Sequence, residues 1–271
     1  MATIRPKAKA SEIWESFQTL MKTGNHLPNF WMSGEYVQKA NLKTKYRHTN
    51  PPIMGLTNGS MIEEKGTEEW FYPPITLTGD FIANRWRPIY CGFIEEKKST
   101  RIILDYQYIY DPKNFLNLSG GTWKVFRKNI RKYPDRVGEF NLEYRKLSPR
   151  EFEKDIEELV LNWGEGRDLY DVEVLVRYAF QGENRYALLN KGKVVGLNIF
   201  DENFKFINYR YCIDDGTPFL NEYMRYLFYT SDEILKKQKL VNDGGSLDNE
   251  GLRKFKLRLN PVHIGYVYSY S

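Results

Sequence analysis

Lys124, Arg127, Lys128, Arg131 and Lys132 are five cations with no acid among them, inside GGTWKVFRKNIRKYP, residues 120–134. At three-to-four-residue spacing Lys124, Arg127, Lys128 and Arg131 share one side of a helix, while Trp123, Phe126, Ile130 and Tyr133 share another. Such a positive face can dock the phosphates of RNA, DNA, a cofactor or a lipid headgroup. It can equally be a solvated face that keeps the chain soluble. A second concentration lies in VNDGGSLDNEGLRKFKLRLNP, residues 241–261. Here Asn242, Asp243, Gly244 and Gly245 leave an apolar strand for a loop whose exposed amides, with Ser246, can hold an anion or a developing oxyanion. Ser246 or Asp248 can cap the next helix, and Arg253, Lys254, Lys256 and Arg258 repeat the basic clustering. The alternative is an ordinary strand–loop–helix connection.

Proton transfer has few candidates. His26, His48 and His263 show no metal-ligand spacing, and none is well placed as a base. That leaves the carboxylates of Asp243, Asp214 and Asp215, with Tyr211 as a candidate acid, or the substrate itself. No Ser-His-Asp constellation is present to form a covalent acyl-enzyme. Trp70, Phe71, Tyr72, Trp86 and Tyr90 can stack on bases or line an acceptor pocket, or simply fill a core.

The elements that must position these groups follow from the pattern. Ser11 opens a helix whose stripe is Ile13, Trp14, Phe17, Leu20 and Met21. Residues 74–79, 87–94 and 101–110 read as strands. Beyond them Ser148, Pro149 and Glu151 form a capping-box start to a helix that buries Phe152, Ile156, Leu159, Val160 and Trp163. A helix from Asp171 to Gly182 precedes an antiparallel meander: RYALLN, a turn at Asn190-Lys191-Gly192, KVVGLNIF, then FKFINYRYCI at 204–213. Thr217-Pro218 opens a further helix, KLVN is a short strand, and VHIGYVYSY closes the chain. The layout is mixed α/β (α+β), without a Rossmann or Walker glycine pattern.

Composition bounds the answer. The 271 residues, 41% hydrophobic and 28% charged, are those of a globular chain of one large domain or two halves. The net charge of +5 is modest, so its distribution matters more than its size. Cys91 and Cys212 lie far apart in apolar runs and read as reduced core thiols. No apolar stretch approaches the ~18 residues of a membrane-spanning helix, and the start lacks a signal-peptide pattern. Both features lead to the expectation of a cytoplasmic protein with no integral membrane segment.

The stretches YIYDPKNFLNLSGGTWKVFRKNIRKYP (108–134) and VNDGGSLDNEGLRKFKLRLNP (241–261) resemble the phosphatidylglycerol lysyltransferase C-terminal-like family of the GNAT superfamily of N-acetyltransferases. That family has two GNAT-like halves in tandem, as do the related Fem peptidoglycan aminoacyltransferases. The resemblance implies tandem mixed sheets flanked by helices: a half at 1–135 ending in a basic bridging helix, and a half at 136–271 carrying the active cleft. It implies transfer of an acyl or aminoacyl group from an activated donor to an amine or hydroxyl. Acetyltransferases of the superfamily cradle the coenzyme A pyrophosphate in a glycine-rich loop at a helix N-terminus. The matching place here is Asp214-Asp215-Gly216-Thr217-Pro218, with two carboxylates and no base. These would repel a pyrophosphate, which favours aminoacyl-tRNA over acyl-CoA as co-substrate. Asp214 and Asp215 can then face an α-ammonium, or cap a turn.

On this reading the cleft lies near the end of strand 204–213 and loop 242–248. Lys124, Arg127, Lys128, Arg131, Ser246, Arg253, Lys254 and Lys256 hold the anionic substrate, and Asn242 and Asp243 position the nucleophile. Two alternatives stay open: a GNAT-like enzyme that acylates a nucleobase of DNA or RNA, and a non-catalytic nucleic-acid-binding module.

Overall fold

The computed structural model describes residues 33–40, 43–47, 53–57, 75–76, 102–148, 150–167, 169–246 and 249–269. The expected helix at 11–24, the strand at 87–94, the aromatics from Trp70 to Tyr90, and Cys91, His26 and His48 lie outside them. The chain forms two compact units, Met1–Gln107 with Gly265–Ser271, and Tyr108–Ile264. The first unit contains helix α1 (Gly34–Lys39), an antiparallel sheet of β1 (Lys43–Arg47), β2 (Ile53–Thr57) and β3 (Ile75–Thr76), and residues 102–107 and 265–269 of two strands given below.

The remaining elements, in order, are β4 (Ile102–Tyr110), α2 (Lys124–Val137), β5 (Leu142–Lys146), α3 (Glu153–Gly164), α4 (Leu169–Gln181), β6 (Arg185–Asn190) and β7 (Lys193–Glu202). Then follow β8 (Phe206–Asp214), α5 (Leu220–Thr230), α6 (Asp232–Lys236), β9 (Leu240–Asn242), α7 (Glu250–Arg258) and β10 (His263–Ser269). They build one mixed seven-stranded sheet in the order β10-β4-β9-β8-β7-β6-β5. The basic helix α2 belongs to the second unit and packs on α5.

The meander forms where the apolar runs and the turn residues place it. Lys191 (φ 53°) and Gly192 (φ 80°) make the two-residue hairpin loop between β6 and β7, in which both positions need a left-handed backbone. From Val194 to Asp201 β7 is continuously buried, because α3 and α5 both pack against it. At Gly196 a Cβ would lie 3.0 Å from Met224 Cε and Sδ, so the missing side chain lets α5 settle close onto the strand.

Aromatic rings fill much of the core beneath α5. Phe115 stacks on Tyr229 with centroids 4.1 Å apart, and Tyr209 stacks on Phe228 at 4.2 Å. Their polar tips are satisfied inside: the Tyr209 hydroxyl donates to Asn198 Oδ1 at 2.5 Å and the Tyr110 hydroxyl to the Lys256 carbonyl at 2.8 Å.

Helix starts differ from the sequence expectation in three places. The helix expected from Ser148 begins at Glu153, after left-handed Arg150 and Phe152, and Phe152 and Trp163 are half-buried. Glu151 does accept from the Ser148 N–H at 2.9 Å, but its other oxygen is held by Arg145, and the chain turns once more before the helix. These partners, the Arg145 hydrogen bond above all, pull the Glu151 carboxyl down to about 2. A carboxyl lowered in the folded state stabilises it above the unfolded value and loses that contribution as pH falls toward 2. Carbon-13 NMR titration is expected to show Glu151 titrating below the other exposed glutamates, and Arg145→Gln to return it to the ordinary range.

The second difference is at α5, which starts at Leu220 after left-handed Phe219 (φ 72°). The third is α7, which is capped by Asn249, whose Oδ1 accepts from the Leu252 N–H at 2.9 Å, and not by Ser246 or Asp248.

Candidate functional site

The parallel pair β8–β9 holds for only three residue pairs, Phe206–Leu240, Ile207–Val241 and Asn208–Asn242. Past Asn242 the chain leaves β8 and continues beside β4: the Asp243 N–H donates to the Tyr108 carbonyl (2.9 Å) and the Tyr108 N–H to the Gly244 carbonyl (3.1 Å). Beside this departure α5 lays a polar row. Its Asn221 and Arg225 are one turn apart, and the Arg225 Nε–H donates to Asn221 Oδ1 at 3.1 Å. Asn221 Nδ2 donates in turn to Asp214 Oδ2 at 2.9 Å. At the other end the Arg225 guanidinium pairs with Asp243, which also accepts from the Tyr229 hydroxyl at 3.1 Å. A continuous hydrogen-bonded chain thus joins Asp214 at the end of β8 to Asp243 after β9.

Asp243 is the charged centre of a buried cluster. Lys256 reaches it from α7, with Nζ 3.3 Å from Asp243 Oδ1 and 2.7 Å from the Gly245 carbonyl. Burial alone would lower the Arg225 guanidinium, but the Asp243 carboxylate beside it prevails and holds it protonated. Burial, reinforced by the same carboxylate, raises the Tyr229 hydroxyl well above its ordinary value. Asn242, fully buried, accepts from the Gly244 N–H at 3.0 Å and shapes the loop, and Ser246 is buried too. Lys256, expected to hold the anionic substrate, is buried in this cluster. Only 4% exposed, it staples the 243–245 loop from within. Asp243 likewise faces two cations in the interior rather than an open cleft.

The turn after β8 opens to a hollow of about 500 Å³. Asp214 Oδ1 accepts from the Gly216 N–H (3.0 Å) and Asp215 Oδ1 from the Thr217 N–H (2.9 Å), so each carboxylate caps the turn with one oxygen. Asp155 and Glu158 of α3 line the same hollow, facing Lys193 and Arg167. Lys193 is taken by Glu158 at 3.6 Å, and the Arg167 guanidinium lies 3.4 Å over the Trp163 ring. Four carboxylates against two engaged cations leave this hollow acidic. Tyr211 stands behind its wall, edge-on to Trp163 at 6.1 Å and half-buried.

Helix α2 flanks this turn. Trp123, Phe126, Ile130 and Tyr133 face inward, Tyr133 packs on Tyr223 at 5.6 Å, and Asn129 Nδ2 donates to Glu222 Oε1 at 3.1 Å. Lys132 lies 4.3 Å over the Phe219 ring. The Tyr133 hydroxyl is pushed up to about 12 by burial and by the Asp215 charge, which puts the acidic turn within electrostatic reach of the basic helix. Lys124 and Lys128 are exposed and form no ion pair among the described residues. No acid occupies the first turn of α2 to complement its dipole. Arg127 is pinned by the Leu118 and Gly120 carbonyls and, with Arg131, turns to a separate hollow. On α7 Arg253 and Lys254 are exposed, with Lys254 2.8 Å from Glu250, and neither lines either hollow.

Sequence reasoning missed Arg225, Asn221, Asp155 and Glu158. A signal existed for Arg225, a charge set within the apolar run of Leu220, Met224 and Phe228.

No protein-family model and no curated protein matches the chain. Solved structures do. A conserved protein of unknown function from Bacteroides thetaiotaomicron is similar over 97% of this chain and 98% of its own, with TM-score 0.67 and 13% identity. The C-terminal domain of a putative lysylphosphatidylglycerol synthetase from Agrobacterium fabrum is similar over 97% and 93%, with TM-score 0.56 and 12% identity. A tandem GNAT protein from the clavulanic acid biosynthesis pathway is similar over 96% and 94%, with TM-score 0.50 and 10% identity. The fold is GNAT-like. Within this GNAT-like fold the β8–α5 turn carries Asp214 and Asp215 where the resemblance would place a phosphate cradle, and it is bordered by further carboxylates of α3. Among the described residues no helix is long and apolar enough to cross a membrane.

Proposed function

We propose that the protein is an acyltransferase that moves an aminoacyl group from an aminoacyl-tRNA to an amine or hydroxyl acceptor. The observation that carries this is the acidic hollow at the β8–α5 turn, where Asp155, Glu158, Asp214 and Asp215 gather. Clustered carboxylates disfavour a pyrophosphate and favour a cation such as the α-ammonium of an aminoacyl ester. The exposed Lys124 and Lys128 supply the opposite charge on α2, a helix whose first turn is otherwise better served by acids. Negative nearby and positive beyond is the pattern required by a cationic head on a polyanionic carrier.

In this reading Asp214, fixed by Gly216 and Asn221, orients the ammonium. Among the described residues Asp215 Oδ2 has no hydrogen bond, and Asp215 takes the proton from the acceptor as its nitrogen or oxygen attacks the ester carbonyl. The ester C–O bond then breaks, and Asp215 returns that proton to the departing ribose oxygen, which leaves as the RNA hydroxyl. The buried Arg225–Asp243–Lys256 cluster is the frame that holds α5, and with it the turn, in register.

The test is a double substitution, Asp214→Asn with Asp215→Asn. Transfer is expected to fall by about a hundredfold, the low end of what a positioned acid–base group contributes, while RNA retention is unchanged or rises. Acetyl-CoA is expected not to raise the melting temperature of the unaltered protein. Undiminished transfer in the double variant, or clear stabilisation by acetyl-CoA, would refute the assignment.

A further inference from the structure

A second hollow, of about 600 Å³, lies between α2 and α5 under the loop 116–120. Four charged side chains border it: Arg127 and Arg131, one turn apart on α2, then Asp135 on the next turn and Glu139 just past the helix. None of the four forms an ion pair among the described residues, although Arg131 and Asp135 stand at the spacing where helical neighbours pair. The floor between them is apolar, from Phe115, Ile130 and Pro134, and Tyr223 and Tyr226 add aromatic faces with hydroxyl groups. Arg127 is already oriented by its bonds to the Leu118 and Gly120 carbonyls, so its remaining donors are presented without further loss of freedom.

The spacing sizes the ligand. At a 1.5 Å rise per residue, Arg131 and Arg127 lie roughly 6 and 12 Å along the axis from Asp135. A single amino acid is too short to bring its ammonium and carboxylate to both ends. An extended peptide gains roughly 3.3–3.6 Å per residue, so two to four residues span the interval.

We propose that this hollow binds a short peptide of two to four residues with both ends free. Its carboxylate lies on Arg127 and Arg131, its ammonium faces Asp135 and Glu139, and apolar side chains rest on Ile130 and Pro134. The site is separate from the acidic hollow after β8, and the inference does not depend on the transfer reading.

Isothermal calorimetry of the full chain with trileucine tests it, alongside N-acetyl-trileucine and trileucine amide. Free trileucine is expected to bind, and capping either end to weaken binding at least tenfold. Arg131→Gln should weaken trileucine while leaving the amide unaffected, and Glu139→Gln should weaken trileucine while leaving the N-acetyl form unaffected. Equal binding of free and capped peptides, or no heat from any of them, overturns the proposal. If a variant loses its circular dichroism signature, the free-against-capped comparison on the unaltered chain decides alone. Failure of the transfer reading is visible separately, in product formation without added peptide.

Discussion

Arg225→Met is expected to destabilise the protein by about 3–5 kcal/mol. Methionine fills much of the same volume but leaves Asp243 buried, at 4% exposure, without the guanidinium and with Lys256 as its one remaining cation. The cation also gives up its places over Tyr209 (4.9 Å) and Phe255 (5.3 Å). For a chain of this size the loss corresponds to a fall in melting temperature of roughly 6–20 °C. Pairing it with Asp243→Asn removes the stranded charge, and the double variant is expected to recover part of the loss, a coupling that a thermal denaturation cycle reads directly. Unfolding within about 1 kcal/mol of the parent for Arg225→Met would show that the buried cluster does not hold α5.

The second large effect concerns RNA. Replacing Lys124 and Lys128 by Gln removes two cations that have no partner among the described residues. Each phosphate contact contributes roughly 0.7 to the slope of log affinity against log salt on single strands and about 0.9 on duplex. The double variant should therefore bind RNA more weakly across all sequences, with a slope shallower by about 1.4–1.8, in filter binding from 50 to 200 mM salt. Lys254→Gln, on a side chain already paired with Glu250, should change the slope little. An unaltered slope in the double variant would remove α2 from the docking surface.

Local pattern was enough for elements whose neighbours lie close in sequence. The meander from Arg185 to Asp214 follows from three apolar runs and from the turn residues Asn190-Lys191-Gly192 between the first two. Helix α2 follows from two interleaved rows at helical spacing, and its apolar row is the buried one. The acidic turn was legible as a departure from a glycine-rich loop, but its partners were not, since Asp155 and Glu158 sit on a helix about sixty residues earlier and read there as solvated acids.

Lys256 shows the same limit in reverse. Within GLRKFKLR it is indistinguishable from Lys254, and only the loop at Asp243–Gly245, brought against α7 where the chain continues beside β4, draws its ammonium inward. Arg225 was hidden because its burial comes from Asp243 and Phe255, on segments that no periodicity in α5 can announce.

Whether the protein transfers aminoacyl groups is decided by transfer from a pool of charged tRNA to acceptors in a cell extract, followed by intact mass with and without RNase added before the enzyme. An aminoacyl-tRNA-dependent transferase yields an acceptor heavier by one aminoacyl residue, and no such product once the RNA carrier is destroyed. A product that survives RNase and depends on acyl-CoA would contradict the transfer reading. So would salt-dependent retention on RNA with no product at all, which is the behaviour of a binding module.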